Sequence, residues 1–113
     1  MTHEMKLQPS PYAAILEGRK TVEMRLYDER RRGISVGDEI VFTNNETGEK
    51  MSVLVTSVKV YPSFAELYLD YDKEAIGYMP DEVADPRDME EYYPREKQAL
   101  YGAVAIGIER IHK

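Results

Sequence analysis

The chain has 113 residues, 42% hydrophobic and 32% charged, a composition that predicts a single soluble domain over residues 1–113 and excludes a disordered or membrane-spanning chain. With no cysteine there is no disulfide, thiol nucleophile or cysteine-bound zinc, and without a roughly 20-residue apolar run or a signal-peptide layout the expected location is cytoplasmic. The net charge of −6 excludes a protein that coats nucleic acid through bulk positive charge, and neither a DNA nor a membrane partner is expected.

Met5-Lys6-Leu7 reads as a short strand, broken by Gln8-Pro9-Ser10-Pro11. Ser10 suits an N-cap and Pro11 the first helical position, where a missing N–H costs nothing. Tyr12, Ile15 and Leu16 then form one apolar stripe of a short helix that ends at Gly18. Residues 21–27 alternate, with Val22, Met24 and Leu26 on one face and Thr21, Glu23, Arg25 and Tyr27 on the other, which predicts a half-buried strand. Lys20 stands in the turn between helix and strand, so alternation does not fix its direction.

A charged loop over residues 28–33 leads through Gly37-Asp38 to a strand at 39–43. Asn44-Asn45-Glu46-Thr47-Gly48 is a hairpin connection, and the return strand at 50–60 is expected to pair antiparallel with its predecessor. Ser63 and Glu66 form a capping box for a helix carrying Phe64, Leu67 and Tyr68. Residues 69–84 show neither helical nor strand period and read as an irregular loop. Asp85-Pro86 starts a short helix to about Tyr92, Tyr93-Pro94 breaks it, and residues 95–100 make one or two further turns. The unbroken apolar run Ala103 to Ile108 predicts a strand buried on both faces, with something packed closely on Ala103, Ala105 and Gly107. This order predicts an α+β domain whose sheet curls or closes into a small barrel.

Charge is unevenly spread: Arg19, Lys20, Arg25, Arg30, Arg31 and Arg32 crowd the first third, whereas residues 66–91 are strongly acidic. A basic patch on an acidic body can guide an anionic ligand to one face. Lys20 can serve as a phosphate contact, a general base or a nucleophile, and the last two roles need a neutral amine. If Glu23 pairs with Arg25, Lys20 is left free; if Glu23 pairs with Lys20, the cluster suits binding better than attack. Arg25, Arg31 and Arg32 are candidate forks for phosphate or carboxylate, and Tyr92, Tyr93 and Tyr101 are candidate stacking platforms. His3 and His112 lie at opposite ends of the sequence, so a histidine metal site would need the termini to meet; no metal or cofactor is expected.

The spacing Gly18-x-Lys20-x-x-Glu23-x-Arg25 resembles the signature of the ASCH domain, a branch of the PUA-like superfamily. Val36-Gly37-Asp38-x-Ile40-x-Phe42, Tyr61-x-Ser63-Phe64-x-Glu66-Leu67, and Glu91-Tyr92-Tyr93 with Tyr101-Gly102-Ala103 resemble its later segments in the same order. The resemblance implies a small PUA-like β-barrel of about five or six strands with flanking short helices. It also implies a cleft beside the motif for RNA or a nucleoside or nucleotide, for which the motif residues Lys20, Glu23 and Arg25 and, from their side-chain chemistry, Arg31, Tyr93 and Tyr101 are the candidate contacts. Some small bacterial ASCH proteins are amidohydrolases of N4-acetylcytidine, using the motif lysine, a threonine three residues on, and a more distant glutamate. Lys20 matches the lysine, Glu23 occupies the threonine position, and Glu82, Glu90 and Glu91 are candidates for the glutamate. As an enzyme of that kind the chain would rely on Lys20 and Glu23.

Overall fold

The apolar run at the end of the sequence forms the strand on which the sheet is built. In the computed structural model, which describes residues 1–111, it is β5 (Ala103–Arg110), with β4 (Lys50–Tyr61) on one side and β2 (Val22–Leu26) on the other, both antiparallel to it. β3 (Glu39–Asn44) pairs antiparallel with β4, as expected for the hairpin, and β1 (Thr2–Leu7) adds parallel to β3. The order is β1-β3-β4-β5-β2, five strands curled into a half-barrel that is open between its edges β1 and β2. α1 (Pro9–Leu16) joins those two edges; α2 (Phe64–Leu69), a 3₁₀ helix (Pro86–Glu91) and α3 (Arg95–Tyr101) lie between β4 and β5 in sequence. Among the described residues no helix is long and apolar enough to cross a membrane.

β5 serves two cores because its side chains alternate. Val104, Ile106 and Ile108 join Leu7, Tyr12, Ile15, Phe42 and the inward face of β4 in the first. Ala103 and Ala105 join Val22, Met24, Tyr61, Phe64 and Leu67 in the second. The small residues of β5 thus make room for α2, which packs on that face. β4 reaches both cores through a bulge: Val55 stands opposite Ile108 and Ser57 opposite Gly107, leaving Thr56 as an extra residue. A Cβ on Gly107 would overlap Ser57 Oγ, so the bulge and the glycine belong together. The sequence carries a trace of that slip, since the apolar positions are odd at Met51, Val53 and Val55 and even at Val58 and Val60, on either side of Thr56-Ser57.

Three local features depart from the sequence reading. α1 starts at Pro9 with Gln8 in the N-cap position and no side-chain cap, so Ser10 lies within the first turn. Both prolines fit there because first-turn N–H groups have no intrahelical partner. β1 extends back to Thr2, because its parallel register with β3 runs from Thr2 opposite Glu39 to Leu7 opposite Asn44. Residues 86–91 form a 3₁₀ helix, capped by Asp85 Oδ1, which accepts from the Arg87 N–H at 2.9 Å. The capping box is as read, with Ser63 Oγ accepting from the Glu66 N–H at 3.2 Å.

The irregular segment before the 3₁₀ helix is tied down at two places. The Ala75 carbonyl accepts from the N–H groups of Thr21 (2.9 Å) and Val22 (3.0 Å), joining the segment to the start of β2. Farther along, the Tyr78 hydroxyl contacts Tyr68 Oη at 2.9 Å and donates to Asp88 Oδ2 at 2.7 Å, while both rings pack on the second core. His3 Nε2 lies 2.8 Å from Asp38 Oδ2, and His112 lies outside the described residues.

Candidate functional site

α1 ends in a turn that decides where Lys20 goes. The Gly18 N–H donates to the Ile15 carbonyl (3.0 Å) and the Arg19 N–H to the Ala14 carbonyl (3.0 Å), the paired bonds of a Schellman motif. The Lys20 N–H reaches the same Ala14 carbonyl at 3.1 Å. Closing on the helix end in this way brings the Lys20 side chain inward, leaving it 7% exposed. β2 then supplies Glu23 and Arg25, two positions apart and therefore on one face. That face meets protein rather than open solvent, and Glu23 is 2% exposed.

The three side chains make one ionic cluster. Lys20 Nζ donates to Glu23 Oε1 at 2.7 Å, and Arg25 Nε donates to Glu23 Oε2 at 2.9 Å. Glu23 Oε1 also accepts the Met24 N–H at 3.2 Å, and Arg25 Nη2 crosses the open side of the half-barrel to the Lys6 carbonyl at 3.0 Å. The cluster therefore contains the second strap between the two sheet edges besides α1. Burial by itself would raise the Glu23 carboxyl pKa, but the Lys20 and Arg25 charges, with their hydrogen bonds, outweigh it and bring it to about 2. Of the two pairings left open by the sequence, Glu23 makes both.

The cluster forms one wall of a cleft of about 410 Å³. Tyr92, Tyr93, Glu82, Asp88 and Glu91 contribute to its lining, together with Gly77. Tyr93 is stacked parallel on Phe64, ring centroids 6.0 Å apart, which commits one of its faces to the core; Tyr92 is about half exposed. Arg31 stands outside this lining because its guanidinium is taken by Asp28, Nη1 to Oδ2 at 2.7 Å. Arg32 instead lies over the Tyr27 ring. Tyr101 ends α3 and is not part of the lining either. Of the three candidate glutamates, Glu82 and Glu91 line the cleft, whereas Glu90 accepts from Arg95 Nε at 2.8 Å outside it.

Glu23 accepts from Lys20, Arg25 and the Met24 N–H, and Lys20 Nζ is engaged as a donor. A nucleophilic lysine needs its nitrogen lone pair, and a general acid needs a proton at working pH. In this arrangement Lys20 is a donor to Glu23 and Glu23 is held ionised by its two cationic neighbours. The cluster offers positively charged hydrogen-bond donors at the base of a cleft.

Sequence reasoning passed over Gly77, because the stretch around it has no period. Its φ is +112°, and a Cβ there would lie 3.2 Å from Lys20 Cδ and 3.7 Å from Nζ. The only available signal was a glycine between Ile76 and Tyr78, two large side chains that pack in the second core. Gly77→Ala is expected to cost about 1–3 kcal/mol through the strained backbone and to displace the lysine stem. Thermal melts together with a crystal structure of the variant check this; an unmoved Lys20 and an unchanged Tm would show that the loop simply gives way.

Comparison with known proteins bears on the family and the fold. The model of the ASCH domain matches residues 5–112. The crystal structure of the hypothetical protein PH0355 is similar at 37% identity and TM-score 0.83, over 98% of this chain and 100% of that one. PF0455 from Pyrococcus furiosus, solved in solution, is similar at 36% identity and TM-score 0.74 over 100% of both chains. An ASCH domain from Lactobacillus crispatus shares the fold at 18% identity and TM-score 0.69, over 96% of this chain and 79% of its own. No curated protein matches the chain. The match spans the signature in the turn after α1 and on β2 and continues through the strand that organises the sheet, and the chain belongs to the ASCH domain family.

Proposed function

We propose that this domain binds a base of single-stranded RNA, or a nucleoside or nucleotide, in the cleft beside β2. The observation that carries the reading is the buried cluster at the cleft wall. Lys20 is more than nine-tenths buried and spends one of its three N–H donors on Glu23, with Arg25 alongside it. A volume of about 410 Å³ suits a nucleoside and not a duplex. Tyr92 offers an aromatic surface at the same place, and a single unstacked base is what such surfaces recognise. The net charge of −6 fits local recognition better than tracking along a phosphate backbone.

Titration of ribonucleosides, ribonucleotides and short single-stranded RNA at low salt tests this. Binding is expected, and Lys20→Ala is expected to weaken it about 10–100-fold, the range for losing a charged hydrogen bond, without unfolding the protein. No affinity for any of these ligands would remove the proposal. Incubation with N4-acetylcytidine is expected to release no cytidine, because Glu23 holds Lys20 as a donor; release would make the domain a hydrolase instead.

A further inference from the structure

The donors and acceptors of the cleft are segregated. At the cluster, the Glu23 oxygens are used by Lys20, Arg25 and the Met24 N–H. What remains there for a ligand is chiefly donors, the two further N–H groups of Lys20 Nζ, while Arg25 is shared among Glu23, the Lys6 carbonyl and the Tyr93 side chain. Elsewhere the lining carries carboxylates. Asp88 accepts the Tyr78 hydroxyl through Oδ2, Glu82 accepts the Met79 N–H through Oε1, and Glu91 has no hydrogen-bond partner among the described residues. Counted together, the lining holds three cationic residues, Lys6, Lys20 and Arg25, against four carboxylates, Glu23 among them. Tyr92 sits amid these groups, its phenol raised by burial and then by Glu91, Asp88 and Glu23.

A phosphate would gain from the Lys20 and Arg25 donors but would meet the unneutralised carboxylates of the same small space. A neutral planar group gains from both sets, turning ring or carbonyl acceptors to the cluster and N–H donors to the carboxylates. We propose that the cleft selects an uncharged planar ligand with acceptors on one edge and donors on another, a neutral nucleobase or nucleoside, and rejects the 5′-phosphorylated form. Glu91 is the principal discriminating residue, since its carboxylate is not committed to the protein. This rests on the cleft being a nucleoside or base site, and it goes beyond that reading by naming the charge state of the ligand.

The test is titration of the four ribonucleosides and their 5′-monophosphates against the full chain, at low and at moderate salt. The best-bound nucleoside is expected to bind at least about tenfold more tightly than its monophosphate at low salt, with the gap closing as salt screens the carboxylates. Glu91→Gln is expected to narrow the gap by about threefold or more, and Glu91→Lys to close it, mainly by improving the monophosphate. Glu91 is exposed, and both variants are expected to fold. A monophosphate that binds as well as or better than its nucleoside overturns the inference and leaves the site reading intact. So does a gap that neither variant changes. If neither class binds, this inference is overturned, and the site reading falls with it only where single-stranded RNA also fails to bind.

Discussion

Glu23→Gln is expected to destabilise the domain by about 3–5 kcal/mol, a fall in Tm of the order of 15 °C, although it changes two atoms' chemistry and almost no volume. The side chain is 2% exposed and is the sole acidic member of a cluster whose other members are Lys20 and Arg25. Removing its charge leaves two buried cations facing each other, and the penalty is that of unpaired buried charge rather than of lost contact area. Lys20→Met should be milder, because the Glu23–Arg25 pair it leaves behind is neutral overall. In the Glu23→Gln background the same Lys20→Met change should restore stability. A loss that is equal for the two single variants, or a double variant worse than Glu23→Gln alone, would contradict this account.

The same carboxylate predicts a pH dependence. Its pKa is lowered from an ordinary 4.5 to about 2 in the folded protein, so its contribution is fully present above about pH 4.5 and is lost as the pH falls toward 2. The amount at stake is roughly 3 kcal/mol. Asp38, Asp70 and Asp85 are also lowered, through hydrogen bonds with His3, Lys59 and Arg87 respectively, so the wild type alone does not isolate the effect. The difference between wild-type and Glu23→Gln stability does: it should shrink steadily between pH 4.5 and 2. A difference that stays constant over that window would mean that Glu23 is not held ionised by its neighbours.

Much of the fold follows from features visible in the sequence, and the exceptions have physical causes. The two-sided burial of β5, the hairpin of β3 and β4, the Ser63 cap and the end of α1 rest on short-range patterns. The parallel partner of β1 does not, because parallel pairing joins residues more than 30 positions apart and leaves no turn signal. The bulge at Thr56, which feeds one strand into two cores, leaves only a reversal of apolar parity between Val55 and Val58. At the site, alternation placed Glu23 and Arg25 on a common face and left Lys20 undecided. The Schellman turn, which is local, and the Gly77 loop, which is tertiary, decide it together. Arg31 and Tyr101 show the limit of composition as a guide: a guanidinium in a charged loop finds its nearest carboxylate, and a tyrosine at a helix end takes its place from the helix.

Gly102→Ala is the second substitution for which a large loss is expected, at least about 3 kcal/mol and more than 10 °C in Tm, through backbone geometry rather than charge. Gly102 ends α3 with φ +71° and ψ −166°, a backbone region that side chains with a Cβ do not tolerate. It does so under a second constraint. A Cβ there would stand 2.6 Å from the Tyr61 carbonyl oxygen, which belongs to the backbone and has no rotamer to escape into. Tyr61 lies opposite Ala103 in the β4–β5 register, so the overlap falls where the sheet is already fixed. The Gly102 N–H donates to the Gln98 carbonyl at 2.8 Å and its own carbonyl accepts from the Tyr27 N–H at 3.0 Å, so moving the residue disturbs both α3 and the end of β2. Gly48→Ala is the control: φ is +79° but nothing lies within 4 Å of the new Cβ, so conformational strain acts alone and about 1 kcal/mol is expected. Chemical denaturation of the two variants separates the terms. Equal losses would mean that the junction of α3 and β5 yields, and that the close approach to Tyr61 contributes nothing to holding β2 and its ionic cluster in place.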